Sequence, residues 1–290
     1  MVPNDRLPAA VPVKVPLLGR LQARMPDGRG CRTDGDGRMA EVEVPLAGGN
    51  VAAEVVRVGT TVRKPVTAAT PAVEAVLRHL QRVGFAGAPR ALGRDGQGRQ
   101  VLEYVEGPLA QDAPPMDTVQ LARVGRLVRD LHEALATLEP SASDRWQVAI
   151  PPDREELVCH HDLAPWNLVL GADRWVFIDW DGAGPGSRLW DLAYAAQSFT
   201  PLQAAGDPGR DALRLRALVE GYGADSAQRQ RLPALIEAHT RGMLELLVDG
   251  ARTGRQPWAR LHGEGHAEHW GPAADYVAQH LDRFVEALSI

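Results

Sequence analysis

Residues 159–184 read CHHDLAPWNLVLGADRWVFIDWDGAG, a window that sets His, Asp and Asn between β-branched and aromatic runs. LVL at 168–170 and RWVFID at 174–179 flank Gly171-Ala172-Asp173, which predicts a hairpin. With Leu170 opposite Trp175, Asn167 falls opposite Ile178, and the side chains of Asn167 and Asp179 emerge at the same open end of the ribbon. An amide oxygen beside a carboxylate offers two hard oxygen ligands, which suit a Mg²⁺ that keeps most of its shell for water and phosphate. Asp162 lies five residues before Asn167 in a loop where Pro165 forbids a continuing helix, so a further oxygen group overhangs the same point. A carboxylate there can accept a proton from an attacking hydroxyl. The order His-x-Asp-x-x-x-x-Asn, followed 17 residues after Asp162 by a strand-end Asp, is a catalytic-loop and metal-Asp arrangement for phosphoryl transfer.

The rest of the chain bounds this reading. With 290 residues, 44% hydrophobic and 24% charged, the chain can bury a sizeable core. A formal charge of -5 gives no footprint for nucleic acid or anionic lipid, and no run approaches the apolar length of a membrane span. Cys31 and Cys159 form no CxxC, so neither a disulfide framework nor a zinc site is implied and a reduced cytoplasm is expected. The sequence sets no oligomeric state. Lys14 and Lys64 are the only lysines in an otherwise arginine-based chain.

Residues 1–40, rich in Pro, Gly and Arg, read as a disordered tail or as the product of a start placed too far upstream, with Met39 directly before the first patterned segment. From 41, EVEVPL, a GGN turn, VAAEVVRV, the Gly59-Thr60 turn and TVRK predict an antiparallel meander. Thr70 as N-cap with Pro71 behind it opens a helix whose stripe is Val73, Val76, Leu77, Leu80 and Val83. RALG and RQVLEYVEG around DGQG predict a second hairpin. The prolines of PLAQDAPPMD, 108–117, mark a boundary between a small lobe at 41–107 and a larger one at 108–290. Leu121, Val124, Val128, Leu131 and Leu135 then mark an amphipathic helix, and 211–220, 228–249 and 272–287 read as helical. The expected class is α+β, bilobal, with a small antiparallel sheet-plus-helix lobe and a mostly α-helical second lobe. His262, His266 and His269 have helical spacing, but the glycines between them argue against a metal-binding face.

CHHDLAPWN, FIDWDGAG and DLAYAA together resemble the aminoglycoside phosphotransferase and choline kinase group, small-molecule kinases with a protein-kinase-like fold, over roughly residues 41–290. The resemblance implies that Asp162 is the catalytic Asp, that Asn167 and Asp179 hold Mg²⁺, that His160 is a structural loop residue and that Asp191 buttresses the loop. It implies ATP as phosphoryl donor, a strand Lys on the phosphates paired with a Glu on the next helix, and a hinge backbone that meets adenine. Lys64 and Glu74 fit the pair, with Arg63 as the alternative to Lys64, and Glu103, Tyr104 and Val105 fit the hinge. His161 stands where the family often has Gly and is expected to shape the acceptor pocket; Asp181 is either turn chemistry with Gly182 or an acid bordering that pocket. The phosphate-covering GxGxxG is missing, with only Gly48-Gly49-Asn50 in its place, and no GxxxxGK[ST] occurs. The expected activity is transfer of the γ-phosphate to a hydroxyl of a small molecule. The alternatives are a non-catalytic nucleotide-binding module of the same fold and a kinase acting on protein.

Overall fold

A computed structural model of the chain describes residues 42–46 and 55–289. The expected tail at 1–40 and the Gly48-Gly49-Asn50 turn lie outside the described residues. The first half is one antiparallel sheet built from β1 (Glu43–Pro45), β2 (Val56–Val58), β3 (Thr61–Lys64), β4 (Ala91–Arg94) and β5 (Gln100–Glu103), in the order β1-β2-β3-β5-β4. Lys64 pairs across the ladder with Gln100 and Thr61 with Glu103, so the end of β5 runs beside the start of β3.

Between β3 and β4, α1 (Thr70–Arg82) buries Val73, Val76, Leu77 and Leu80. Complete burial of such side chains is worth about 1.5–3 kcal/mol each, which holds the helix without help from its caps. Its ends differ from the expected ones. Ala69 already has helical angles and Val73 N–H bonds to its carbonyl, so Thr70 lies inside the helix and its hydroxyl accepts Thr67 N–H at 2.8 Å instead. The helix stops before Val83, which is 45% exposed and does not join the stripe.

The second half is mostly helical. α2 (Thr118–Leu135) starts in a capping box between Asp117 and Gln120 and buries all five predicted apolar positions completely. It packs against α4 (Pro208–Tyr222) with backbone nearly touching backbone: a methyl on Gly125 would lie 2.0 Å from the Leu218 carbonyl, and one on Gly221 2.1 Å from that of Ala122. The expected helix at 228–249 is α5 (Ser226–Thr253), closed by Gly254 in the left-handed region. α6 (Trp258–Gly263) and α7 (His266–Gln279) follow, separated at Gly265, which also has a positive φ. The segment read as one helix at 272–287 is two, because His280 leaves helical geometry between α7 and α8 (Leu281–Leu288). Its ring packs edge-on to Tyr276 and Phe284.

The predicted hairpin forms from β7 (Leu168–Leu170) and β8 (Trp175–Phe177), with Leu170 opposite Trp175. A second ribbon, absent from the sequence reading, pairs β6 (Leu157–Cys159) with β9 (Gly184–Gly186), Cys159 lying opposite Gly184. The two ends of the quoted window are therefore stitched together, and everything between them is a closed loop. α3 (Arg188–Phe199) leaves this ribbon from the Ser187 N-cap and is buried along most of its length. No helix among the described residues is long and apolar enough to cross a membrane.

Candidate active site

The window is held in shape by one buried carboxylate. Asp191, in the first turn of α3, accepts the N–H of His160 at 3.1 Å and that of His161 at 2.9 Å. His132 of α2 donates Nε2–H to the same carboxylate at 3.2 Å and, through Nδ1, accepts the Tyr222 hydroxyl at 3.0 Å. Burial alone would raise the pKa of Asp191, but the His132 hydrogen bond and neighbouring imidazoles hold it well below the usual carboxylate range. Cys159 lies against the same cluster, with its thiol pushed up by burial and by Asp191. His160, wholly buried, accepts the N–H of Asp162 at Nδ1 and donates Nε2–H to the Ile178 carbonyl. Burial lowers its pKa to about 4, so the ring is a neutral strut between the loop and β8. His160 and Asp191, the residues expected to support the loop, both lie within hydrogen-bond distance of its backbone.

His161 has φ +63, a left-handed angle that explains why glycine suits this position. Its Nε2–H points between the carbonyls of Gly184 and Pro185, at 3.1 and 3.0 Å. The ring fits because residue 186 is glycine, where a methyl would lie 2.7 Å from His161 Cε1. Asp179 also has a positive φ, +61, which turns the chain sharply out of β8 toward the cavity.

At the centre, Asn167 Nδ2–H donates to the Asp162 backbone oxygen at 3.0 Å and to Asp162 Oδ2 at 2.8 Å. The other oxygens, Asp162 Oδ1 and Asn167 Oδ1, are buried without a partner. Ile178 N–H bonds to the Asn167 carbonyl, which sets Asp179 one residue beyond that pairing. Burial and the charge of Asp179 push Asp162 up to about 8, against the Asn167 amide and the Tyr194 and Trp166 donors, which face it from beyond hydrogen-bond length. Burial raises Asp179 to about 6, with Lys64 opposing and Asp181 reinforcing the shift. Lys64 Nζ donates to Asp181 Oδ2 at 2.6 Å and sits 3.8 Å from Asp179 Oδ1. Burial would lower its pKa, but the two carboxylates outweigh that and raise it. Asp179 and Asp181 thus face one ammonium, Asp162 lies in reach of the Asp179 charge, and the Asn167 amide oxygen beside Asp162 is unpartnered. This all-oxygen donor set with surplus negative charge fits a hard divalent cation, with Asn167 and Asp179 as the ligands available.

Lys64, Asp162, Asp179 and Asp181 share one cavity of about 760 Å³. Glu103, Tyr104, Val105 and His161 also line it, the first three at the end of β5. Glu103 is tied to Arg174 at 2.7 Å, and Tyr104 carries the Arg57 guanidinium 3.9 Å above its ring. Three expected members do not line it: Asn167 is buried against Asp162, and Arg63 and Glu74 are elsewhere. Arg63, on the opposite face of β3, engages Thr61 and Asp95, so of the two candidates Lys64 is the one in the cavity. Glu74 is buried but pairs with Arg78 at 2.8 Å and Arg94 at 3.6 Å rather than with Lys64. The sequence reading did not single out Trp146, Ile150, Tyr194, His239 or Arg255, which also line the cavity. They come from separate segments with no shared motif; only the DLAYAA signature touches one of them, Tyr194.

Residues 139–235 match the model of the family described as the phosphotransferase enzyme family. A trifolitoxin immunity protein from Rhizobium leguminosarum bv. trifolii is 30% identical over 201 residues, spanning 64% of this chain and 76% of that protein. Among solved structures, the microcompartment-associated aminopropanol kinase superposes with a TM-score of 0.56 at 14% identity, over 91% of this chain and 95% of that one. A choline/ethanolamine kinase family protein from Mesorhizobium loti gives 0.51 at 17% identity, over 81% and 88% of the two chains. The sheet-plus-helix half and the helical half thus form the protein-kinase-like fold of these proteins.

Proposed function

The chain belongs to the phosphotransferase enzyme family, and on that premise we propose that it transfers the γ-phosphate of ATP to a hydroxyl of a small molecule, with Mg²⁺ as cofactor. The observation that supports this best is the pair of unpartnered buried oxygens, Asp162 Oδ1 and Asn167 Oδ1, joined through the Asn167 amide beside Lys64 and Asp179. In this reading β1–β5 and α1 form the nucleotide side, with Glu103–Val105 as the hinge and Lys64 on the phosphates, and residues 108–290 supply the catalytic loop and the acceptor side. Asn167 and Asp179 hold the cation, which when bound neutralises phosphate charge.

Asp162 accepts the acceptor's hydroxyl proton as the new P–O bond forms. The bond from the γ-phosphorus to the bridging oxygen breaks, ADP leaves, and the proton passes from Asp162 to solvent. Raising a carboxylate above its ordinary range strengthens it as a base, and burial together with the Asp179 charge raises Asp162. Asn167 fixes the orientation of the carboxylate by binding Oδ2 and leaving Oδ1 free. Asp191 keeps the loop from moving by binding two successive N–H groups. Positioning and charge stabilisation, rather than covalent chemistry, are what the chain contributes.

The test is ADP release from Mg·ATP against a panel of hydroxylated small molecules, including toxins with a free hydroxyl in view of the relative's immunity role. Acceptor-stimulated turnover that depends on Asp162 supports the reading. Nucleotide binding without stimulated turnover by any acceptor favours the non-catalytic module, and phosphate appearing on protein favours the protein kinase.

A further inference from the structure

The far side of the cavity is a built apolar wall. It collects Trp146 and Ile150 from the segment before β6, and Trp258 from the start of α6. Each is admitted by a glycine: a methyl on Gly184 would lie 3.1 Å from Trp146 Cβ, one on Gly242 2.9 Å from Ile150 Cγ2, and one on Gly250 2.3 Å from Trp258 Cβ. Three positions on β9 and α5 thus leave room for large apolar groups that reach the cavity.

Charge is distributed just as unevenly. Of the carboxylates lining the cavity, Asp162, Asp179 and Asp181 sit at the reacting centre and Glu103 at the hinge, while the wall opposite carries none among the described residues. Asp181 is already paired with Lys64 at 2.6 Å, so it offers little to a further cation. Arg255, the charged residue on this side, is exposed just past the end of α5. Polar capacity deeper in is neutral. His239 Nδ1 is buried without a partner, and the Tyr194 hydroxyl, with none at hydrogen-bond length, faces Asp162 from this side; the two side chains are 3% and 1% exposed. Burial drives His239 down to about 3, so the imidazole offers hydrogen bonds but no charge. The rings of Tyr194 and His239 stack on each other at 4.8 Å and 25°, which covers a face that a cation would otherwise need.

We propose that the acceptor is a planar aromatic hydroxyl compound without positive charge, held against Trp146 and Trp258 and hydrogen-bonded by Tyr194 and His239, with an anionic substituent favoured at the mouth by Arg255. The inference rests on the phosphotransferase reading of the cavity. An ammonium group placed on this wall, away from the carboxylates of the reacting centre, would have to give up hydration with no carboxylate to replace it. An aromatic body meets apolar surface on one side and two uncharged hydrogen-bonding groups on the other.

The experiment is titration calorimetry of the whole protein with AMP-PNP and Mg²⁺, followed on the nucleotide-loaded protein by four hydroxylated probes: phenylethanol, hydroxyphenylpropionate, choline and kanamycin. Both aromatic probes are expected to bind at least about tenfold tighter than either cation, the ratio that one desolvated charge without a partner readily produces. Trp146→Ala should weaken both aromatic probes by about three- to tenfold. Arg255→Glu should weaken hydroxyphenylpropionate about threefold or more and leave phenylethanol within about twofold. Choline or kanamycin binding as tightly as the aromatic probes, or neither aromatic probe binding, overturns the proposal while leaving the kinase reading intact. Failure of AMP-PNP to bind removes the kinase reading itself and is recognised in the first titration.

Discussion

The two sides of the cavity meet at Asp162 and are built on opposite plans. The side assigned to nucleotide and metal comes from two neighbouring strands, which carry Lys64 and Glu103, and from a loop whose ends pair as β6 and β9, so Asp162, Asn167 and Asp179 follow one another within a single closed window. The side proposed for the acceptor is gathered from separate segments, around Trp146, Tyr194, His239 and Trp258, with a glycine beneath each tryptophan. Chemistry common to a family tolerates being concentrated in one rigid stretch. Selectivity, which must change between relatives, is spread over segments that can be replaced one at a time.

The contrast can be broken at several points. Asp162→Ala should lower turnover by about 10² to 10⁴ while nucleotide binding persists, measured as ADP release beside a nucleotide titration. Full turnover in that variant would move the proton acceptor to another residue. Asp191→Ala removes a buried charge that holds two N–H groups and His132, and should cost about 3 kcal/mol of stability, read as a shift in the urea midpoint. An unchanged midpoint would show that the loop does not depend on this clamp. Lys64→Ala should weaken nucleotide binding by about tenfold, whereas Arg63→Ala should leave it within about twofold, because only Lys64 reaches the cavity. The reverse result would exchange their roles.

The smallest effect concerns pH and touches both sides, since His160 supports the loop and His239 the acceptor wall. Burial depresses their pKa values to about 4 and about 3, so between pH 6.5 and pH 4 the unfolded chain takes up protons that the folded chain refuses. The stability these neutral rings confer is complete above the unfolded pKa of about 6.5 and declines as pH falls toward the folded values. Each should contribute a loss of about 1 kcal/mol per pH unit across that interval, and His239→Gln should make the dependence of the melting midpoint on pH shallower. Asp162 and Asp179, raised by burial, act in the opposite direction over part of this interval, so the check is the difference between the two proteins: the same pH dependence with and without His239→Gln would contradict it.

How much of this the sequence discloses depends on distance along the chain. The β7–β8 register and the juxtaposition of Asp162, Asn167 and Asp179 were readable because a tight turn and alternating apolar residues fix them locally. The stripe of α2 was readable for the same reason, and that of α1 up to Leu80; Val83 misled because a helix end is decided by packing more than by period. β9 was invisible because Gly-Pro-Gly is a poor strand, used here so that the rings of His161 and Trp146 can lie against it. Glu74 was expected beside Lys64 from the order of strand and helix, but arginines on α1 and β4 take it. His132 reaches Asp191, and Tyr222 reaches His132, from helices far away in sequence, and the wall proposed for the acceptor is assembled the same way, so neither has a local signature.

The near contact of Gly125 and Gly221 gives the geneticist a handle. His132 lies two turns beyond Gly125 on α2 and Tyr222 directly follows Gly221 on α4, so the spacing of this helix pair decides whether His132 spans from Tyr222 to Asp191. A single added methyl, as in Gly125→Ala, wedges the pair apart without altering any group in the cavity. Such an allele should be thermosensitive, active in cool culture and inactive in warm, and would let the protein's cellular role be switched off by temperature alone.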